Sequence, residues 1–410
     1  MKKKLSLYIG LIIISINTAN GNLFSIYSYV RQRININSIT PEETNICYAL
    51  QKKIEDYIDN FNSKISVNIL NKNGEFIVDI NGKIPRIPAS NQKILSSAFS
   101  LDNLGPNYLL KTSLKEMSSG GLYFDASGDP DFDKRHLDEL LRGLNSKEFN
   151  TVIKLPILIT RSKKNTWWPP SWSYSDRKEE YGAPITKYSI ASNASTKALN
   201  NPIDNFINEV NTSLVRNNLS SKYFIKSVYN DPVDFASTIK SVNSAPLYIL
   251  LNLVNSESHN YTAEVVFRHS LNNWSHDFPN VKYTKWLKDQ NFDSDDFIFA
   301  DASGLSRENR VTTYGLSQFL RRMQLSRYSD YYFSSFSILG VRGSLKNVKA
   351  PINLKGRILA KSGRLSNVRS ISGIILGKDK IFSIIVNNKE NSTKNIINIL
   401  SIVDNTNYCT

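Results

Sequence analysis

The sequence predicts an α/β (α+β) fold in which an antiparallel sheet is flanked by helices and interrupted by an inserted β-rich domain. Two observations predict the sheet: a hairpin pattern near the start of the chain and three Ile- and Val-rich runs near its end. The residues between them have short apolar runs broken by Gly, Pro, Ser and Asn, which predicts the insertion. We therefore expect residues 22–107 and 245–410 to form one domain around an insertion at 108–244.

The first predicted elements are a helix, a hairpin and a second helix. Apolar residues at helical spacing predict helices over 46–61 and 90–104. Between them, 65–70 and 75–80 read as two strands joined by the turn-forming residues 71–74. This order places a helix start directly after the hairpin.

The rest of the chain combines helical and strand patterns. Helical periodicity predicts helices over 136–143, 202–215, 246–255, 262–270 and 313–323. The terminal strands are predicted over 357–360, 370–376 and 381–386, followed by a helix over 393–403. Because short turns separate these strands, we expect them to pair antiparallel and to share one sheet with the hairpin.

The first residues of the chain predict export. Three lysines precede an apolar run over 5–16, and the small residues Ala19 and Gly21 follow it, which is typical of a secretory signal at 1–21. An uncleaved membrane anchor is the alternative. Cleavage after Gly21 would reduce the formal net charge of the 410-residue chain from +15 to +12. No other segment is long and apolar enough to span a membrane, so membrane contact is expected to be peripheral at most.

Composition excludes two classes of function. Two cysteines, Cys47 and Cys409, and four scattered histidines give no zinc-ligand spacing, so no metal or other cofactor is expected. The excess of positive charge is not arranged as a basic stripe with interleaved aromatic residues, which argues against nucleic-acid binding. In an exported chain the two cysteines can form one disulfide or remain two thiols. Nothing in the sequence indicates the oligomeric state.

A Ser-x-x-Lys motif opens the second predicted helix, with Ser90 and Lys93 three residues apart on one helical face. An unprotonated Lys93 amine could take the serine proton, and the helix N-terminus would stabilise an oxyanion. The same spacing occurs at 175–178 and 237–240. Only Ser90 also follows a Pro-Ala entry and precedes two downstream partner motifs.

The downstream partners are a Lys-Ser-Gly and a Ser-x-Asn motif. Lys361-Ser362-Gly363 ends the first terminal strand, where a cation and a hydroxyl can hold a carboxylate. Ser-x-Asn occurs at 241–243, 258–260 and 270–272. We choose Ser258 and Asn260 because they lie between two predicted helices, where a loop can present both side chains to a cleft.

These motifs resemble those of the low-molecular-mass class C penicillin-binding proteins, the penicillin-binding protein 4 type of D-alanyl-D-alanine carboxypeptidase and endopeptidase. Further matching segments follow in the family's order: Leu-Gly-Pro at 104–106, Ser-Gly-Asp-Pro at 127–130, Tyr-Gly-Ala-Pro at 181–184, the segment 258–264, Asp-Ala-Ser-Gly-Leu-Ser-Arg at 301–307, and Gly-Val-Arg-Gly-Ser-Leu at 340–345. The resemblance implies a penicillin-binding and serine β-lactamase-like transpeptidase fold.

The resemblance also implies catalytic roles. Ser90 would be acylated by the penultimate D-Ala carbonyl, with Lys93 as the general base. Ser258 would relay a proton to the leaving amine, and Asn260 would hydrogen-bond the substrate and orient Lys93. The reaction would then end with hydrolysis of the acyl-enzyme.

Substrate binding is implied for the Lys-Ser-Gly motif and the residue after it. Lys361 and Ser362 would bind the terminal carboxylate, and Gly363 would let the substrate backbone approach. The oxyanion hole would use the backbone N–H groups of Ser90 and Arg364.

The implied enzyme is a periplasmic serine carboxypeptidase, endopeptidase or both. Its partners would be peptidoglycan stem peptides, and β-lactams would be covalent inhibitors. A serine β-lactamase is an alternative. The absence of a Glu-x-x-x-Asn element and the presence of a large insertion argue against it. A catalytically silent peptidoglycan-binding homologue is a third possibility, against which the intact motifs speak.

Some features depart from the family pattern or keep two interpretations. Ser362 stands where Thr is usual, Ala302 stands where Gly is usual, and the interval from Ser90 to Ser258 is short, so part of the usual insertion is expected to be reduced.

Three arginines could grip an anionic peptide or form structural pairs: Arg307, Arg342 and Arg364. Three tryptophans could form a platform for sugar or peptide, or a small core: Trp167, Trp168 and Trp172.

Overall fold

The computed structural model describes residues 45–59, 64–146, 154–274, 281–387 and 393–406. The predicted signal sequence at 1–21 and Cys409 lie outside these residues. Cys47 is disulfide-bonded, so the alternative of a free thiol there is wrong. Across the described ranges, no helix combines the length and the apolarity that crossing a bilayer requires.

The described residues alternate helices and strands. The helices are α1 (Tyr48–Ile58), α2 (Gln92–Leu104), α3 (Lys134–Arg142), α4 (Pro202–Arg216), α5 (Leu247–Asn255), α6 (Asn260–Leu271), α7 (Val281–Asp289), α8 (Thr313–Gln324), α9 (Ser329–Ser334) and α10 (Thr393–Asp404). The strands are β1 (Lys64–Leu70), β2 (Phe76–Ile80), β3 (Lys111–Met117), β4 (Leu122–Asp125), β5 (Leu155–Thr160), β6 (Tyr223–Val228), β7 (Phe235–Asn243), β8 (Phe297–Ile298), β9 (Arg310–Val311), β10 (Ser337–Ile338), β11 (Ile358–Leu365), β12 (Val368–Ile375) and β13 (Lys380–Asn387).

Both ends of the chain build one six-stranded antiparallel sheet with the order β10-β11-β12-β13-β1-β2. The predicted hairpin and the predicted terminal strands are therefore neighbours, and Val67 of β1 pairs with Ile384 of β13. Every residue of β13 is buried, as expected for a central strand covered on both faces.

Helices cover the two faces of this sheet. One face packs against α1 and α10 in an Ile- and Leu-rich cluster that includes Leu50, Ile371 and Leu400. The other face supports α2 and α8. Each fully buried Leu or Ile stabilises the fold by about 1.5–3 kcal/mol. The two helical layers therefore fix the positions of β11 and of the first turn of α2.

The residues between α2 and α5 form a second sheet of five strands with the order β6-β5-β4-β3-β7. The pairs β4–β5 and β5–β6 are parallel, whereas the pairs of β3 with β4 and β7 are antiparallel. Parallel neighbours require crossover connections, and α3 and α4 lie in those two crossovers. A long segment between β5 and α4 carries the three tryptophans.

The structure extends one predicted strand and adds two helices. β11 continues to Leu365, so the Lys-Ser-Gly motif lies within the strand and not at its end, because Gly363 still pairs with Ser370 of β12. Helix α7 was not predicted because only Tyr283 and Leu287 on it are buried, which leaves a weak periodic signal. Helix α9 spans six residues and is too short for a periodic pattern.

Candidate active site

Ser90 lies in a 3₁₀ turn, Ala89–Asn91, that leads directly into α2. Ala89 has a φ of 48°, a left-handed conformation that turns the chain sharply before the helix. Asn91 Nδ2 donates to Ser372 Oγ at 2.7 Å, and Ser370 Oγ donates to Pro88 O at 2.6 Å. The turn that carries Ser90 is therefore fastened to β12.

Lys93 is fully buried one turn into the helix, and its amine contacts the Ser90 hydroxyl. Lys93 Nζ donates to Ser90 Oγ at 3.1 Å, to Asn260 Oδ1 at 2.6 Å and to Ser303 O at 2.5 Å. Burial lowers the pKa of Lys93 to about 7, although the negative charges of Asp301 and Glu264 act in the opposite direction. A large fraction of the amine is therefore neutral near pH 7 and able to accept a proton.

Ser258 and Asn260 stand at the junction of α5 and α6. Ser258 has a φ of 62°, and its Oγ accepts a hydrogen bond from Lys361 Nζ at 2.9 Å. Asn260 is the first residue of α6, and its Nδ2 donates to Tyr181 O at 2.9 Å while its Oδ1 accepts from Lys93. Both ends of the amide have partners, which fixes its orientation.

Lys361 reaches the same cleft from β11. It is fully buried, and its amine also donates to Ser362 O at 2.7 Å. Burial and the nearby Lys93 amine hold the pKa of Lys361 well below its usual range, against the opposing charge of Glu257. Two lysines with lowered pKa values thus flank the Ser90 and Ser258 hydroxyls.

Gly363 allows β11 to pass close to the Ser90 turn. A Cβ at this position would lie 2.9 Å from Ser90 N and 2.8 Å from Pro88 O, which is too close for any other residue. Ser362 Oγ lies 2.6 Å from Ser344 Oγ. The exposed Arg364 follows on the same strand, and a cavity of about 250 Å³ lined by residues 362–364 lies beside this end of β11.

Two buried carboxylates support Lys93, and sequence reasoning gave neither of them a role. Glu264 Oε1 accepts from the N–H groups of Ala302 and Ser303 at 2.9 Å each, and Glu264 forms an ion pair with Arg268 at 3.4 Å. Burial raises the pKa of Glu264 to about 7. The spacing of four residues between Glu264 and Arg268 on a predicted helix was the available signal.

The second carboxylate, Asp301, organises the loop between β8 and β9. Its oxygens accept from Ser303 Oγ, Gly304 N, Ser306 N and Asn309 Nδ2 at 2.7–2.9 Å. The loop thereby presents Ser303 O to Lys93. Ala302, where a Gly was expected, does not have a positive φ, so the backbone there does not require Gly. Its side chain is buried, and Ser96 Oγ donates to its carbonyl at 2.6 Å.

The competing motifs lie elsewhere in the fold. Ser241 is on β7 and bonds to Ser113, whereas Ser270 Oγ donates to Val266 O within α6. Ser237 donates to Glu116 on the neighbouring strand, and Ser175 bonds to Ser173 in a surface turn. The described residues bring together only the chosen set: Ser90, Lys93, Ser258, Asn260 and Lys361.

The arginines and tryptophans separate into different roles. Arg342 is a structural residue, since its guanidinium donates to the carbonyls of Ser334 and Phe336, and Arg307 donates to Ser366 O at 3.0 Å. The prediction that three tryptophans form a binding platform is wrong, because their side chains are buried in the larger core. Trp167, Trp168 and Trp172 are 6%, 9% and 2% exposed.

A serine hydroxyl beside a buried lysine of lowered pKa, on an antiparallel sheet flanked by helices, defines a serine hydrolase of the penicillin-binding and β-lactamase fold class. The chain belongs to the D-Ala-D-Ala carboxypeptidase 3 (S13) family, whose model matches residues 49–210 and 198–406. It is therefore a serine-type peptidase that acts on D-Ala-D-Ala. None of the curated proteins matches the chain in sequence.

Solved structures share the fold. Penicillin-binding protein 4 from Haemophilus influenzae is 17% identical with a TM-score of 0.75, and the match covers 86% of this chain and 98% of that one. A predatory peptidoglycan endopeptidase from Bdellovibrio bacteriovorus is 17% identical with a TM-score of 0.52, covering 83% and 90% of the two chains.

Proposed function

We propose that this protein trims terminal D-Ala and cuts D-Ala cross-links in peptidoglycan stem peptides, through an acyl-enzyme on Ser90. The observation that carries the proposal is the 3.1 Å contact between Ser90 Oγ and the fully buried Lys93 amine. A lysine is a general base only when neutral, and burial lowers the pKa of Lys93 to about 7.

Acylation requires two proton transfers, one from the attacking Ser90 hydroxyl and one to the leaving amine. Ser90 Oγ attacks the carbonyl of the penultimate D-Ala while Lys93 Nζ takes the hydroxyl proton. The bond to the terminal amine then breaks, and the nitrogen takes a proton from Ser258. Because Ser258 Oγ accepts from Lys361, its own proton can point toward the leaving amine, and Lys361 can resupply it.

Two parts of the site are assigned to substrate recognition. Lys361 and Ser362 bind the terminal carboxylate of a carboxypeptidase substrate by charge-assisted hydrogen bonds, because the incoming negative charge favours the protonated form of the Lys361 amine. The N–H groups of Ser90 and Arg364 form the oxyanion hole, supported by the close approach of β11 to Ser90 N at Gly363. Water then hydrolyses the Ser90 ester.

The solved relatives support this substrate class and its inhibitors. A second Haemophilus influenzae structure, 19% identical over 86% of this chain with a TM-score of 0.67, is a complex of penicillin-binding protein 4 with a β-lactam. The Bdellovibrio bacteriovorus relative is named a peptidoglycan endopeptidase. We expect β-lactams to acylate Ser90, because they offer a strained amide in place of the D-Ala carbonyl.

The same proposal includes location and domain organisation. The secretory signal at 1–21 would deliver the protein to the periplasm, where the wall polymer lies. Residues 22–107 and 245–410 would form the catalytic domain and 108–244 the insertion. The pairing of β1 with β13 and the separate five-stranded sheet support this division.

Two measurements on one pair of proteins test the proposal. Ser90→Ala should lose fluorescent-penicillin labelling and D-Ala release while keeping the thermal unfolding temperature of the wild type. Mass spectrometry of purified cross-linked muropeptides after incubation reports loss of D-Ala and loss of cross-links separately. Labelling that persists in the variant would assign the nucleophile to another residue.

A further inference from the structure

We infer that Trp172 is a positioning residue for the general base, acting from the inserted segment through Asp301 and the Ser303 loop. This inference rests on the proposed role of Lys93 and adds a residue whose described hydrogen bond goes to Asp301 and not to Ser90 or Lys93. Trp172 belongs to the segment between β5 and α4 and lies 129 positions before Asp301 in the sequence.

The Trp172 indole is a fixed hydrogen-bond donor to the Asp301 carboxylate. Trp172 Nε1 donates to Asp301 Oδ2 at 2.6 Å, the shortest of the contacts described for that carboxylate. Trp172 is 2% exposed and Asp301 is fully buried, so water does not compete for the bond. A hydrogen bond to a buried charge is stronger than one in water.

The carboxylate that Trp172 anchors also holds the base. Asp301 accepts from Ser303 Oγ and Gly304 N, which sets the loop so that Ser303 O accepts from Lys93 at 2.5 Å. Gly304 packs so closely on the turn of Ser90 that a Cβ would lie 2.0 Å from Ala89 O. A shift of this loop would therefore disturb both the base and the nucleophile.

The electrostatic effect follows from the direction of the N–H dipole. Four titratable groups of the described residues face Lys93: Asp301 in the loop, Glu264 on α6, His259 just before α6 and Lys361 on β11. Asp301, Glu264 and Lys361 are buried, and His259 is partly buried. The positive end of the indole N–H offsets part of the Asp301 charge, so removing it strengthens the attraction between Asp301 and protonated Lys93.

Trp172→Phe is the direct test, because it removes the N–H and keeps an aromatic ring. We expect the acid limb of the pH profile for acylation by a fluorescent penicillin to move upward by about 0.3–1 pH unit. The acylation rate at pH 6.5 should fall about 2- to 10-fold, with a smaller change at pH 9. A purely structural role would lower the unfolding temperature and leave the profile in place.

Trp167→Phe is the matched control. Trp167 is a buried neighbour whose Nε1 donates to Ser162 Oγ at 2.9 Å, so the control loses an indole hydrogen bond that does not reach Asp301. Its pH profile should match the wild type. A second replacement, benzothienylalanine at position 172, keeps the indole shape and lacks the N–H, and it should give the same upward shift if the Phe variant does not fold.

The two proposals fail in different ways. An unshifted profile in the Trp172 variant, or an equal shift in the Trp167 control, overturns the inference while Ser90 is still the labelled residue. Labelling at a residue other than Ser90 in the wild type overturns the proposed function. Peptide mass spectrometry of the labelled proteins distinguishes these results.

Discussion

Lys361 donates a hydrogen bond to Ser258 across 2.9 Å, although 103 positions separate the two residues. The contact joins β11 to the loop before α6, and it gives the Ser258 oxygen a donor so that the serine proton is free to point elsewhere. The corresponding contact between Lys93 and Ser90 is 3.1 Å. The cleft thus contains two serine–lysine pairs, one for each proton transfer of the proposed reaction.

Replacing Ser258 with Ala should slow D-Ala release from a stem peptide by about 10²–10⁴-fold, the usual contribution of a positioned proton donor. Acylation rates measured by rapid quench check this. Ser270→Ala is the control, since its hydroxyl only donates to Val266 O inside α6. Equal losses in the two variants would contradict the relay.

The rate of acylation should rise with pH through a midpoint near the Lys93 pKa of about 7. Below the midpoint the amine is protonated and cannot accept the Ser90 proton, so the acid limb falls tenfold per pH unit. Stopped-flow acylation by a penicillin between pH 5 and 9 measures the profile. An acid limb centred near pH 10, the value of an exposed lysine, would exclude Lys93 as the base.

Gly363→Ala should abolish acylation, because the new Cβ would lie 2.3 Å from Ser370 Oγ, 2.8 Å from Pro88 O and 2.9 Å from Ser90 N. The strand must move away from the nucleophile to relieve these contacts. Gly356→Ala is the control: it meets no atom within 4 Å and is strained only by its φ of 74°. It should cost about 1 kcal/mol of stability and leave acylation intact.

Arg268→Met should destabilise the protein by about 3–5 kcal/mol, because it leaves Glu264 as a buried carboxylate without its cation. The two side chains are 3% and 1% exposed and lie 3.4 Å apart. Urea unfolding measures the loss. The double variant Glu264→Gln with Arg268→Met should recover part of it, and an additive loss would show that the two charges do not interact.

The penicilloyl-enzyme should persist for minutes or longer. The two acids that face Lys93 are both occupied by backbone N–H donors: Glu264 by Ala302 and Ser303, and Asp301 by Gly304 and Ser306. Neither is free to activate a deacylating water. Chase experiments with excess unlabelled penicillin measure the lifetime, and release within seconds would favour the β-lactamase alternative.

The sheet and the central motifs were predictable because their signals are local. The hairpin, the terminal strands and the Ser-x-x-Lys spacing each lie within a short window of sequence. The order of these motifs then indicated which serines belong together. The choice of Ser258 over Ser241 depended only on its position between two helical patterns.

The support around Lys93 was not predictable, because it depends on contacts between distant residues. Glu264 meets the Ser303 backbone 39 positions away, and Trp172 meets Asp301 across 129 positions. The local sequence around Glu264 or Trp172 does not predict which distant residue it contacts. The tryptophan cluster likewise reads as a binding platform or as core until burial is known.

The pairing of β1 with β13 has a consequence for biogenesis. The strand that carries Lys361, β11, belongs to a sheet in which residues 64–70 of β1 pair with residues 381–387 of β13. Such distant pairing folds slowly, since a long loop must close before any contact forms. A nascent chain therefore completes the sheet beside the active site only after residues 381–387 have been synthesised.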